Sequence, residues 1–339
     1  MATYSAAGTP PYAVRTIREH YSYLTVDAVT ARLRDYTFVN PEKKYLYFAV
    51  PKAACTAIKH LLRDAELAPP IEFFCRGYKE SRRDMFVHAR ENVPLPSLVD
   101  LDETAQREAL QSPEYLRMTV VRNPYTRLLS AWRNKIALCE PGYETVYLDI
   151  RGCPPTLSNK KLIGFDEFIA FIENQDLRRA DPHWSLQVEH TFMAAIKYNL
   201  VGRTENLTEF LDLFAQHNGR RNQSSPVPGN PSEAFGCYSS DLATRVARLY
   251  AADFEGLGYK PDDWPPPRSS FAATVHLERH HDELIERNLI LAHLYREVER
   301  LSSEMRKINK FHLLTLANAL LTLKEIPRTL LRRSKRPAS

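Results

Sequence analysis

The sequence predicts an α/β fold, with a parallel central sheet flanked by helices and a helical C-terminal extension. Three observations predict it. Two short apolar runs, YLYFAV (45–50) and MTVV (118–121), each lead into a segment of helical spacing. Amphipathic stretches alternate with further short apolar runs, and beyond Pro267 the apolar residues fall on a repeat of three and four. Strands alternating with helices imply a parallel sheet covered on both faces, with ligands bound beyond the carboxyl ends of its strands. In order, an N-terminal segment (1–40) leads into a strand over 44–50 and a helix over 56–66. An apolar run, IEFFC (71–75), and a proline-bearing loop (92–98) precede the strand over 118–121 and the helix that Pro124 opens. GFDEFIAFIEN (164–174), HWSLQVEHTFMAAI (183–196) and NLTEFLDLFAQHN (206–218) read as amphipathic helices, with a strand over 197–201.

The first strand runs into PKAACT, and that order makes a phosphate loop. Pro51 ends the strand because proline cannot donate to a sheet ladder. Ala53, Ala54 and Cys55 keep side-chain bulk away from a backbone that must approach an anion closely. The helix beginning at Thr56 and Ala57 directs unpaired N–H groups at the ligand. Lys52 adds a point charge and Thr56 a hydroxyl, as in a nucleotide-binding loop. No glycine lies between Lys43 and Lys59, so the GxxxxGK[ST] signature is absent and a triphosphate is not the expected anion.

The second strand ends at Arg122, and Pro124 suits the first turn of a helix, where its missing N–H costs nothing. On that helix Arg127, Ser130, Ala131 and Asn134 share a face, while Leu128, Leu129 and Trp132 populate another. An arginine at a strand end and a serine eight residues later can grip one phosphate from two sides, since the guanidinium fork matches phosphate oxygens.

Together these segments closely resemble the sulfotransferases, in particular the carbohydrate sulfotransferases of the chondroitin, dermatan and HNK-1 type. Pro51, Lys52, Ala54, Cys55 and Thr56 match the family's 5′-phosphosulfate loop, and Arg122, Pro124, Arg127, Ser130, Asn134 and Lys135 fall in its 3′-phosphate motif. PHW (182–184), LVGRTENL (200–207) and YAADFEGLGY (250–259) follow in the family's order. The resemblance implies a P-loop-like sulfotransferase fold over 41–265 and 3′-phosphoadenosine 5′-phosphosulfate as co-substrate, with no metal. Pro51 to Ala57, Arg122 and Ser130 would hold the nucleotide. It also implies a loop closing over the adenosine, where Arg220, Arg221 and Ser224 of the segment 220–235 are expected.

Sulfuryl transfer to a sugar hydroxyl builds charge on the bridging oxygen, which Lys52 is expected to stabilise. The attacking hydroxyl wants a base. His88, in DMFVHARENVPL, is the first choice, and His183, in DPHW, is expected mainly to position the acceptor. Glu205 is expected to orient a base or a loop.

Composition sets limits. The chain has 339 residues, 44% of them hydrophobic, enough for a full core. Its net charge of +5 equals that of the tail from Lys324, so the remainder is nearly neutral and a broad nucleic-acid face is not expected. Five cysteines without a CxxC pair fit neither a zinc site nor a disulfide framework, although Cys139 and Cys153 are a possible pair in an oxidising compartment. The N-terminus lacks the apolar stretch of a signal peptide, and a cytoplasmic, peripherally membrane-associated enzyme is expected, or a Golgi one if an anchor precedes this sequence. In the extension (266–339), Leu277, Leu284, Leu291, Leu294, Val298, Leu301, Met305 and Ile308 form either a coiled-coil seam between copies or one face of a helix packed on the parent domain. The apolar stretch 311–323 and the basic tail fit contact with an anionic membrane. Two other functions compete: a P-loop phosphotransferase, and a catalytically silent nucleotide-binding scaffold.

Overall fold

The computed structural model describes residues 9–66, 87–88, 90–137, 139–153, 163–219, 238–262 and 272–307. Among them one sheet is ordered β1 (Thr37–Asn40), β2 (Tyr45–Phe48), β3 (Leu116–Val121) and β4 (Leu200–Arg203). β2, β3 and β4 are parallel, with Tyr47 opposite Met118 and Met118 opposite Leu200. β2 and nearly all of β3 are buried, which is why both read as unbroken apolar runs.

β1 departs from the expected all-parallel sheet. It pairs antiparallel with β2, Thr37 opposite Phe48, in a hairpin too short for a crossover. Helices α1 (Tyr12–His20) and α2 (Val26–Tyr36) precede it. They bury Ala13, Val14, Ile17, Val29 and Leu33 in one cluster with Phe48, Tyr115 and Phe192. The first 40 residues thus supply part of the core as well as an edge strand.

Helix α3 (Cys55–Ala65) follows β2, and α4 (Glu103–Gln111) precedes β3. After β3 come α5 (Pro124–Ala131), a π-helical turn over Trp132–Ile136, α6 (Glu144–Arg151) and α7 (Phe165–Ile172). Several of these helices begin at side chains that satisfy an orphan N–H. Thr25 caps α2, Asp102 caps α4 and Asn123 caps α5. The amphipathic stretch 183–196 is not one helix. Only α8 (Gln187–His190) forms, because Phe192 takes a left-handed φ of 55° and ends it. α9 (Thr208–His217), α10 (Ser240–Leu249) and α11 (Ala251–Leu257) complete the domain around β4. The apolar run 71–75 lies outside the described residues.

One face of the C-terminal α12 (Ala272–Lys307) packs on the parent domain, through residues outside the expected seam. Ile285, Asn288 and Ala292 are buried, and Ile285 joins the cluster around Trp184 and Tyr250. Arg296 pairs with Glu144 at 3.1 Å. Ile290, Leu294, Val298 and Leu301 lie about half a turn away and are exposed. Residues 308–339, with the basic tail, lie outside the described residues. No helix among the described residues is long and apolar enough to cross a membrane. Cys139 and Cys153 are not joined in a disulfide, and burial pushes the Cys139 thiol up to about 11.

Candidate active site

The loop between β2 and α3 is built to expose backbone N–H groups. Lys52 and Ala54 both take left-handed φ values, 67° and 55°, which is strained for residues with a Cβ. Ala54 is the N-cap of α3, and no side chain caps that end. The first-turn amides of Cys55, Thr56 and Ala57 therefore have no acceptor within the helix. Two carbonyls of the loop are meanwhile held from behind. Arg127 Nε donates to Pro51 O at 3.1 Å, and Arg122 Nη1 to Lys52 O at 3.2 Å. Ala53 is fully buried beneath the loop. Left-handed residues alternating with others, above a helix start, make a nest for an anion, and the small Ala53, Ala54 and Cys55 leave room for one.

Lys52 is half-buried and donates to Asn134 Oδ1 at 2.9 Å. Burial first, and then the nearby Lys135, lower its pKa to about 8. A phosphate oxygen beside Nζ would reverse that shift, so the site as it stands favours an anion. Asn134 lies in the π-helical turn, whose widened register belongs to a feature frequent at functional sites.

The second anion segment is braced rather than strained. Arg122 is half-buried, and its Nε donates to Thr126 Oγ1 at 3.0 Å. Its backbone is clamped by Gln187, which accepts from Arg122 N at 2.9 Å and donates to Arg122 O at 2.8 Å. Gln187 is held by Asp253, which is fully buried and accepts from Gln187 N at 2.9 Å and Val188 N at 3.0 Å. Glu205 accepts from Asn123 N and from the Tyr259 hydroxyl, both at 2.9 Å. Among the described residues, neither Arg122 Nη2 nor the Ser130 hydroxyl makes a hydrogen bond. Arg127 differs from the expectation that it shares a working face with Ser130. It is 1% exposed and also donates to Ser185 O and Pro182 O, both at 2.7 Å, tying the phosphate loop to the DPHW segment.

Both candidate histidines reach this cleft. His88 Nε2 lies 3.1 Å from Thr56 Oγ1. The residue is exposed, yet neighbouring atoms partly desolvate its ring. That desolvation, followed by Lys59, Lys135, His183 and Lys52, pushes its pKa down to about 4. His183 Nδ1 lies 2.7 Å from Asp181 Oδ1 and 2.9 Å from the Tyr143 hydroxyl. Burial lowers the His183 pKa, Asp181 opposes that, and Lys135 and Lys52 add to it. Lys135 pairs with Glu140 at 2.6 Å and stands over the Tyr143 ring.

Lys52, Thr56, His88, Arg122 and His183 thus share one region, with Pro51, Ala53, Ala54, Cys55 and Ala57 forming the loop. Arg220, Arg221 and Ser224 lie outside the described residues. Sequence reasoning gave no site role to Asn134, Gln187, Asp253, Tyr143 or Asp181. Of these, Asn134 was legible on the Ser130 face, while Asp253 and Asp181 lay within the quoted segments 250–259 and 181–184 with no role read for them. His190 was also missed. It is fully buried, and its Nε2–H donates to Ala49 O at 3.1 Å, anchoring the end of the strand from which the loop departs.

The sequence is 30% identical over 182 residues to carbohydrate sulfotransferase 14 of Danio rerio, covering 52% of this chain and 46% of that protein. It is 26% identical to carbohydrate sulfotransferase 11 of Mus musculus, over 65% of this chain and 66% of that one. It is 25% identical to carbohydrate sulfotransferase 10 of Gallus gallus, over 71% of each. The chain thus spans about half the length of the first of these relatives. No solved structure matches. The sequence profile described as "Sulfotransferase family" matches residues 35–260, from the end of α2 to just past α11, and includes every element that bears the site. The chain belongs to the sulfotransferase family.

Proposed function

We propose that this protein moves a sulfuryl group from 3′-phosphoadenosine 5′-phosphosulfate to a carbohydrate hydroxyl. One observation carries the reading. Two anion sites of different construction are joined at Lys52, whose carbonyl bonds Arg122 and whose ammonium faces the cleft with Asn134. That arrangement suits a ligand with phosphate at two separate positions. The exposed amides of Cys55, Thr56 and Ala57 would hold the 5′-phosphosulfate, and Arg122 and Ser130 the 3′-phosphate. Lys52 would neutralise charge on the 5′-phosphate oxygen as the S–O bond stretches. A histidine of the cleft would take the acceptor proton. The printed names of the relatives support a carbohydrate as the acceptor class. The loop residues Arg220, Arg221 and Ser224 keep their proposed place over the adenosine on the resemblance alone.

The phosphotransferase alternative is tested by the same ligands. In a thermal-shift titration, adenosine 3′,5′-bisphosphate is expected to raise the melting temperature more than ATP with Mg²⁺ at equal concentration. The opposite order would remove the proposed donor.

A further inference from the structure

We propose that His183 is the base for the acceptor hydroxyl and that Asp181 and Tyr143 are its positioning residues. This rests on the sulfotransferase reading above and reverses the expected ranking of the two histidines.

The geometry is that of an oriented imidazole. A carboxylate oxygen can only accept, so the 2.7 Å separation of Asp181 Oδ1 and His183 Nδ1 requires a proton on Nδ1. The Tyr143 hydroxyl, 3.4 Å from Asp181 Oδ2 and 2.9 Å from Nδ1, closes the same cluster. Nε2 is then the nitrogen with the lone pair, and nothing among the described residues bonds it. The segment that carries it is held at several points. Asp181 O accepts from Trp184 N at 3.0 Å and Ser185 N at 2.8 Å. Arg127 donates to Pro182 O and Ser185 O. Trp184 is buried, its indole N–H on Gln175 Oε1 at 3.0 Å. His88, by contrast, spends Nε2 on Thr56, a residue of the donor loop, and no carboxylate among the described residues bonds its ring.

The step balances simply. The acceptor oxygen bonds to sulfur as the bond from sulfur to the 5′-phosphate oxygen breaks, and that oxygen keeps the electron pair. The hydroxyl proton moves to Nε2 of His183. Asp181 then faces an imidazolium, which its charge stabilises, while the surrounding Lys135 and Lys52 oppose it; His88, its own pKa pushed down to about 4, is neutral there. Tyr36 and Arg127 also lie close enough to Asp181 to interact with its charge.

Two readouts test this in the full chain. Nitrogen-15 histidine spectra with adenosine 3′,5′-bisphosphate bound, the His183 signals assigned by loss in His183→Ala, should show the proton on Nδ1. In Asp181→Asn the Nε2–H form should gain population. With a panel of desulfated glycans as acceptors, Asp181→Asn should lower kcat about 100-fold or more while nucleotide affinity stays within twofold. Its acid limb in the rate profile should move to lower pH, because the charge that favours the imidazolium is gone. Asp181→Glu should recover part of the rate. His88→Ala should keep the wild-type acid limb. A wild-type proton on Nε2, or an acid limb that vanishes with His88 and not with His183, would overturn the proposal. A wild type that sulfates no glycan would count against the sulfotransferase reading instead, and the spectra would still decide which nitrogen carries the proton.

Discussion

The two anion segments of the cleft meet the same requirement by opposite means. The loop over 51–57 presents backbone, and it does so with two left-handed non-glycine residues and an uncapped helix start. The segment from Arg122 to Ser130 presents side chains, and at its entry Gln187, Glu205 and the Asn123 cap hold the backbone of Arg122, Asn123 and Tyr125. Strain and open N–H groups at the first are tolerated because Arg122 and Arg127, both from the second, hold its carbonyls. The braced region thus preorganises the strained one. Catalytic charge stabilisation is expected from the first and nucleotide retention from the second.

Substitutions can break this division. Lys52→Ala should have the largest effect, lowering turnover about 100- to 1,000-fold by analogy with loss of one oxyanion donor, with a smaller loss of nucleotide affinity. Single-turnover rates and calorimetric binding would separate the two. Arg127→Met should act on stability instead. It strands two buried carbonyls, Pro51 O and Ser185 O, and the partly buried Pro182 O, and at about 1 kcal/mol or more for each buried one the loss should be about 2 kcal/mol or more in chemical denaturation. Unchanged stability would mean that the two segments are not coupled through this side chain. Arg122→Ala should weaken adenosine 3′,5′-bisphosphate about 10- to 100-fold, and Ser130→Ala by less. Adenosine 5′-monophosphate should bind Ser130→Ala as it binds the wild type and should lose less than the bisphosphate on Arg122→Ala, which also frees the Lys52 carbonyl; parallel losses for both nucleotides in both variants would show that the wrong phosphate has been assigned.

Protonation sharpens the same contrast. With Lys52 at about 8 in the folded protein against 10.5 ordinarily, the unfolded chain holds a proton that the folded chain lacks between those values, so its contribution makes stability rise with pH there. A bound anion restores the proton. Above about pH 8, nucleotide binding should therefore take up protons and weaken as pH rises, measurable by calorimetry in buffers of different ionisation enthalpy. Lys52→Ala should abolish the uptake. The smallest expected effect is that of Ala54→Gly, which removes a left-handed Cβ and should gain up to about 1 kcal/mol of stability.

The local structure of both candidate anion segments was legible because each is a contiguous strand, turn and helix. Thr56 falls within α3, and Pro124 opens α5 as expected. Other features carry no local signature. Asp253 and Gln187 support Arg122 from 65 or more residues away, and a buried carboxylate reads the same in sequence as an exposed one. The stretch 183–196 has helical spacing, but its Gln187, His190 and Thr191 are buried polar groups bonded to backbone, and the left-handed Phe192 ends the helix. β1 was missed because a short edge strand after two helices has too few residues to show alternation. Asp181 stood beside His183 in plain sight, but two residues of separation say nothing of whether the ring turns back to meet the carboxylate.

The central claim is that this cleft activates a sulfuryl group with Lys52 and holds its donor by the 3′-phosphate. The most direct measurement is mass spectrometry of a panel of desulfated glycans incubated with 3′-phosphoadenosine 5′-phosphosulfate and wild type, Lys52→Ala or Arg122→Ala. The expected result is a sulfated glycan from wild type, little from Lys52→Ala at any donor concentration, and recovery with Arg122→Ala as the donor is raised. Sulfation that survives loss of Lys52, or a phosphorylated glycan formed from ATP with Mg²⁺ in its place, would contradict the account.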